Sequence, residues 1–268
     1  MSRLPAVFAN AKRDARKLLI PYVTAGDPNP AATVPIMHVL VEAGADILEI
    51  GVPFSDPMAD GPVIQAACER ALAQGASLRV ILDLIKTFRQ TNSRTPVVLM
   101  GYLNPVEAMG YPRFADMAAA AGVDAVLLVD LTPEESADLE PLLRAKGLDS
   151  VYLVAPTTTK IRLQEILTHA SGYLYYVSLK GVTGADRLDI ASVEQKVGHI
   201  RRQTQLPIAV GFGIRDAESA ARVAGIADAV IVGSALVSLI GQEGHDLNSA
   251  IRKISGLLAT MRQALDAA

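Results

Sequence analysis

Asp46-Ile47-Leu48-Glu49-Ile50-Gly51-Val52-Pro53-Phe54-Ser55-Asp56-Pro57-Met58-Ala59-Asp60-Gly61 reads as a buried strand that runs into a turn-rich loop. Its first residues are mostly apolar; Gly51 and two prolines then punctuate the chain, and the run Pro62-Val63-Ile64 opens a helix. One residue breaks the strand. Glu49, between Leu48 and Ile50, sets a carboxylate where burial costs several kcal/mol unless it is paired, protonated or used in chemistry. Asp60 follows at the far end of the loop. Two readings stand at this point. A strand-borne and a loop-borne acid facing one mouth make an acid/base pair held in different environments. Equally, Glu49 is paired to a buried Arg or capped by backbone donors, and Asp60 is a helix N-cap.

On either side of this stretch the same unit repeats. Strand-like runs fall at Leu18 to Thr24, Asp46 to Gly51, Pro96 to Gly101, Asp124 to Val129, Ser150 to Val154, Tyr173 to Ser178, Pro207 to Gly211 and Asp228 to Val232. They are mostly continuous rather than alternating, as expected of parallel strands buried on both faces. Helical spacing falls between them, at Ala31 to Ala43, Pro62 to Ala73 with Leu78 to Gln90, Arg113 to Ala121, Pro133 to Lys146, Ile161 to Ala170, Val193 to Arg202, Ala217 to Ala224 and Leu247 to Ala267. Pro and acids open these helices and Gly closes them, as in Thr132-Pro133-Glu134-Glu135 and Ala121-Gly122. The expectation is an α/β fold, a (β/α)8 TIM barrel in a single domain over residues 1–268. It carries an extra N-terminal helix within Ser2 to Lys17 and extra helices in the loops after strands 2 and 8. An open doubly wound sheet is the structural rival, but Thr24-Ala25-Gly26-Asp27-Pro28 after the first strand lacks the glycines of a dinucleotide cradle.

Composition narrows the function classes. A chain of 268 residues is long enough to bury about three quarters of its unfolded surface. Its 50% hydrophobic and 20% charged content is that of a globular protein. A net charge of -3 without a dense basic cluster argues against nucleic acid as a partner. Cys68 is the one cysteine, which excludes an internal disulfide and suits a reducing, cytoplasmic setting; on an apolar helical face it reads as a structural thiol. The uncharged stretch Ala229 to Gln242 is shorter than the roughly 18 residues of a membrane span, and no hydrophobic signal core precedes the basic cluster near the N-terminus.

In a barrel, chemistry gathers where the strands end. Tyr22, Glu49 and Tyr102 lie at or near such ends and Tyr175 lies within the sixth strand, although at least one ring of Tyr173-Leu174-Tyr175-Tyr176 is ordinary core. The loop Ser178 to Asp186 is polar, carries two glycines and is long enough for a lid. Gly211-Phe212-Gly213-Ile214 and Gly233-Ser234-Ala235 follow the last two strands. Glycines there let backbone N–H groups approach an anion, and a short helix from Ser234 would point its positive end at it. His38, His169, His199 and His245 fall in helical segments or a helix-flanking turn, so no histidine-liganded metal site is expected. Lys180 invites a Schiff-base proposal, as in a phosphosugar aldolase, although a solvated or phosphate-facing lysine is the plainer reading. A non-catalytic, ligand-binding barrel subunit is a third possibility.

Taken together, these segments resemble one family. Asp46 to Gly61 continued by Pro62-Val63-Ile64-Gln65-Ala66-Ala67 is similar to the signature of the tryptophan synthase α subunits. So, in the same order, are Pro21 to Pro28, Met100-Gly101-Tyr102-Leu103-Asn104-Pro105, Gly181-Val182-Thr183-Gly184, Gly211 to Ile214 and Gly233-Ser234. The resemblance implies a lyase that cleaves indole-3-glycerol phosphate to indole and D-glyceraldehyde 3-phosphate with no cofactor of its own. It also implies a partner β subunit that carries pyridoxal phosphate and receives the indole, in an α2β2 complex. Carried over by position, Glu49 is the acid/base, with its pKa raised by the apolar strand, and Asp60 accepts the indole N–H. Tyr22, Ile64, Tyr102, Leu127, Tyr175 and Thr183 contact the substrate, and Gly184, Gly213, Gly233 and Ser234 hold the phosphate. The loops at Pro53 to Asp60, Asn104 and Thr132 would face the partner. The chain departs from the family at Tyr22, where many members have Phe, at Leu179-Lys180, where a lid Arg is common, and at Pro133, one position late.

Overall fold

The computed structural model describes residues 1–177, 190–211, 213–244 and 246–267. The segment expected from sequence as a lid, with Leu179, Lys180, Thr183 and Gly184, lies outside the described residues, as do Phe212 and His245.

A first helix, α1 (Leu4–Arg13), precedes β1 (Leu18–Thr24), α2 (Pro30–Glu42), β2 (Leu48–Gly51), α3 (Pro62–Ala73), α4 (Leu78–Arg89) and β3 (Val97–Gly101). There follow α5 (Leu103–Met109), α6 (Tyr111–Ala121), β4 (Ala125–Leu128), a 3-10 turn (Pro133–Asp138), α7 (Glu140–Ala145), β5 (Asp149–Ser150) and β6 (Tyr152–Val154). The chain continues through α8 (Lys160–His169), β7 (Leu174–Val177), α9 (Ile190–Arg201), β8 (Ile208–Gly211), α10 (Ala217–Ala224), β9 (Ala229–Val232), α11 (Ser234–Glu243) and α12 (Leu247–Asp266). All the pairings are parallel, in the order β5-β4-β3-β2-β1-β9-β8-β7-β6. β5 and β6 are two halves of one expected strand, parted at Val151. The Val151 N–H donates to the Val126 carbonyl on one side at 3.0 Å, and the Ser150 carbonyl accepts from Ser171 N–H on the other at 2.8 Å, so the ring closes through this rung.

This is the expected TIM barrel, with the N-terminal helix and the paired helices α3–α4 and α11–α12 where they were read. Two expectations differ in detail. The segment Pro133 to Lys146 is not one helix, because Pro141 has no N–H to donate and its ring crowds the preceding turn; a 3-10 turn precedes a six-residue helix. The stretch after β3, expected as a loop at Asn104, folds into α5 ahead of α6, with Gly110 at φ +87° making the corner between them.

Strand parity sorts the core into two shells. Ile20, Ile47, Val98, Leu127, Val151, Tyr173 and Ile231 point into the ring, where Leu4 and Phe8 of α1 close its lower end. Leu19, Leu48, Ile50, Leu99, Val126, Tyr176, Val210 and Val230 point outward against the helices. Each fully buried Leu or Ile contributes roughly 1.5–3 kcal/mol. Strands apolar on both faces are the direct result.

The lower end is pinned by a repeated device. Asp46, Asp124 and Asp228 each precede a strand and accept a backbone N–H at the start of the preceding strand: Leu19, second in β1, at 2.8 Å, and Val97 and Ile208, first in β3 and β8, at 2.8 Å and 2.9 Å. Arginines complete each clamp: Arg16 and Arg262 on Asp46, Arg3 and Arg89 on Asp124, Arg201 on Asp228. Stability is thereby concentrated at the end opposite the mouth.

Candidate active site

Glu49 is on β2 one residue past Leu48, so the strand's alternation turns it inward, in register with Tyr22 of β1 and Val98 of β3. It is completely buried. Its Oε1 lies 3.5 Å from the Tyr173 hydroxyl, a long contact, and among the described residues its Oε2 has no hydrogen-bond partner. Among the described residues neither an Arg nor a row of backbone donors neutralises it, so the structural reading of this residue finds no support there. Burial therefore dominates: it pushes the Glu49 pKa up to about 8, the charge of Asp60 adds to the rise, and the Tyr173 hydroxyl opposes it.

Asp60 is not the N-cap of α3. Gly61 holds that position without a side-chain bond, and the Asp60 carboxylate turns instead to Tyr102, whose hydroxyl donates to Oδ2 at 2.8 Å. The same hydroxyl accepts the Ala59 N–H at 3.0 Å, and the Tyr102 ring lies against Phe54, centroids 5.2 Å apart. One ring thus fastens both ends of the loop after β2. Burial raises the Asp60 pKa as well, and the Tyr102 hydroxyl restrains the rise.

Above Glu49 the mouth is walled by aromatic rings that rest on strand-end glycines. A Cβ on Gly51 would sit 2.2 Å from the Tyr22 hydroxyl oxygen, and one on Gly211 would sit 2.4 Å from that of Tyr175. The Gly211 position, read from sequence as room for an anion, is room for Tyr175. The Tyr22 hydroxyl is 3.3 Å from Thr24 Oγ1, a partner that a Phe in its place would not have. The charges of Glu49 and Asp60 both act on Tyr22 and Tyr175, adding to the effect of burial in raising the two phenols well above their usual range. Ile64 and Cys68 of α3 pack with Tyr22 and with Val237 of α11. Leu127 is fully buried in the interior layer that also contains Tyr173.

Gly233 follows β9 directly, and a Cβ there would meet the Tyr22 ring at 3.4 Å. Ser234 opens α11 and is exposed, and Gly233 at the N-cap has no side chain to satisfy the helix's first N–H groups. Gly213 has φ +73°, which favours glycine. Thr183 and Gly184 lie outside the described residues. The structure brings the expected Tyr22, Glu49, Asp60, Ile64, Tyr102, Tyr175 and Gly233 to one end of the barrel. Tyr173 and Cys68 are additions: the first was legible as the inward neighbour, two residues back, of Tyr175, whereas nothing local in the sequence marked Cys68 as a wall of the mouth. His38, His169 and His199 all sit on helices, and no cluster of three metal-ligating side chains occurs among the described residues.

The family model for the tryptophan synthase alpha chain matches residues 8–266. The tryptophan synthase alpha chain of Thioalkalivibrio sulfidiphilus is 60% identical over 266 residues, covering 99% of this chain and 100% of that protein. That of Methylococcus capsulatus is 57% identical over 267 residues, with 100% of both covered. Among solved structures, tryptophan synthase subunit alpha from Legionella pneumophila superposes with a TM-score of 0.94 at 46% identity over 100% of both chains. A chain of tryptophan synthase from M. tuberculosis in an aminoacrylate-bound form superposes at 0.88 and 33% identity, over 99% of this chain and 100% of that one. With the family model, close relatives and solved structures agreeing along nearly the whole length, the chain belongs to the tryptophan synthase alpha chain family.

Proposed function

We propose that Glu49 and Asp60 carry the reaction of this family. The chain is a carbon–carbon lyase that cleaves indole-3-glycerol phosphate to indole and D-glyceraldehyde 3-phosphate, the first half-reaction of tryptophan synthesis. To break the bond between indole C3 and the side chain, C3 gains a proton and the adjacent hydroxyl loses one. With a pKa near 8, Glu49 is chiefly protonated at pH 7 and serves first as the acid toward C3. The resulting carboxylate takes the hydroxyl proton as the C3 bond breaks, its electrons return to the ring, and the aldehyde leaves. Glu49 ends in the state in which it began. Asp60, held as a carboxylate by the Tyr102 hydroxyl, accepts the indole N–H and stabilises the positive charge that develops on the ring. Tyr22, Ile64, Tyr102, Leu127, Tyr175 and Thr183 enclose the substrate, while Gly184, Gly213, Gly233 and Ser234 hold its phosphate against the N-terminus of α11.

The observation that carries this reading is the buried carboxyl of Glu49, with one oxygen unpartnered among the described residues in a largely apolar interior. The reaction needs no cofactor in this chain. The indole passes to a beta subunit that carries pyridoxal phosphate, in an α2β2 complex of the cytoplasm. The exposed Met58, in the loop that ends at Asp60, offers that partner an apolar contact beside the mouth, with Asn104 and Thr132 on neighbouring loops. The test is to add indole-3-glycerol phosphate to the purified chain, with and without a beta subunit, and measure indole. Release of indole, faster with the partner, is expected; no indole under either condition would refute the proposal.

A further inference from the structure

We propose that Arg70 is a positioning residue for phosphate binding: its fork to Asp27 and its contact with the backbone of α11 at Gly241 hold the N-terminus of α11 in place over the mouth. The proposal rests on the reading that this N-terminus carries the substrate phosphate.

The mouth is assembled from three separate elements, with Tyr22 on β1, Ile64 and Cys68 on α3, and Gly233 and Ser234 leading into α11. Val237 of α11 packs on Ile64, Ala67 and Cys68, but apolar packing is non-directional and permits the two helices to slide. Arg70 supplies the direction. It lies on α3, and its Nε and Nη2 donate to Oδ1 and Oδ2 of Asp27, each at 2.8 Å. Asp27, in the turn after β1, is 2% exposed, so this paired geometry is what makes its burial tolerable.

The other side of the guanidinium lies on α11. A Cβ at Gly241 would stand 2.8 Å from Nη2, 3.1 Å from Cζ and 3.3 Å from Nη1, so an alanine there would push the guanidinium out of this position and off its fork to Asp27. The turn after β1 is itself pressed onto the end of α3 and the turn beyond it, where a Cβ on Gly26 would stand 3.2 Å from the Ala71 Cβ and 2.6 Å from the Ala76 Cβ. One planar group, carried by α3, therefore joins the turn after β1 to α11, about two helical turns from the start of α11. A lysine retains the charge but not the fork, and cannot fix the orientation of α11 in the same way.

The test uses the full chain with its beta subunit and two conservative changes, Arg70→Lys and Gly241→Ala. Arg70→Ala leaves Asp27 buried without a counter-charge and is expected to lose the fold, so it is not the informative variant. The measurements are KM and kcat for indole-3-glycerol phosphate, the pH profile of kcat, and the affinity for glycerol 3-phosphate. In both variants KM and the glycerol 3-phosphate Kd are expected to rise roughly tenfold, with kcat within about threefold and its pH profile unmoved. Folded variants with unchanged KM and Kd would overturn the proposal. So would a fall in kcat with a displaced pH profile, which would place the effect of Arg70 on the carboxyls instead. Gly233→Ala with Ser234→Ala separates this from the underlying reading. If that pair leaves glycerol 3-phosphate binding intact, the phosphate assignment fails and the Arg70 proposal with it; if it weakens binding while Arg70→Lys does not, Arg70 alone is misassigned.

Discussion

Glu49→Gln is expected to separate stability from activity in a pH-dependent way. In the unfolded chain Glu49 loses its proton near the ordinary value of 4.5; in the folded chain it keeps it until about pH 8. Below 4.5 both states are protonated and the residue adds no pH-dependent penalty. Between 4.5 and 8 the folded state binds the extra proton, so folding loses about 1.4 kcal/mol per pH unit, reaching about 3 kcal/mol at pH 7 and levelling near 5 kcal/mol above pH 8. Glutamine abolishes this dependence. Its amide is still poorly matched in the same apolar site, at about 1–3 kcal/mol, but that penalty does not vary with pH. The signature is therefore a slope rather than an offset. Urea unfolding of both proteins at intervals from pH 5 to 9 should show the variant gaining on the wild type through pH 8 and then running parallel to it. Stability curves that stay parallel from pH 5 to 8 would refute the claim that Glu49 is buried as a neutral acid.

Other changes probe the surroundings of this carboxyl. Tyr102→Phe removes the hydroxyl that bridges Asp60 Oδ2 and Ala59 N–H. A loss of roughly 2–3 kcal/mol of loop docking and a kcat lowered about tenfold or more are expected, checked by steady-state kinetics and proteolysis of the 53–61 loop. Gly211→Ala places a methyl 2.4 Å from the Tyr175 hydroxyl oxygen and should raise KM by displacing that ring, with the fold retained by circular dichroism. Asp124→Asn breaks the clamp to Arg3, Arg89 and the Val97 N–H at the lower end. It should destabilise the chain by about 3–5 kcal/mol in urea unfolding and leave KM unchanged in the folded fraction.

The barrel was legible because its strands are apolar on both faces and its helices are bounded by Pro and Gly, signals that depend on neighbours in sequence. Glu49 was legible for the same reason, as a charge where the pattern permits none. What parity and spacing do not carry is the identity of the partner across the ring. Tyr173 beneath Glu49, Tyr102 fastening the Asp60 loop and Tyr175 filling the space over Gly211 depend on contacts between distant strands. The aspartate clamps show the same limit. Gly44-Ala45-Asp46 and Gly122-Val123-Asp124 are alike in sequence, yet only the closed ring sets each carboxyl on an N–H at the start of the preceding strand. The break at Pro141 was a local signal and should have divided the segment from Pro133 to Lys146.

The most direct measurement is the turnover of indole-3-glycerol phosphate by Glu49→Gln at saturating substrate. If the buried carboxyl moves the protons, kcat falls by roughly 10² to 10⁴-fold while KM stays within a few-fold. Turnover near the wild-type rate would assign the proton transfer to another group.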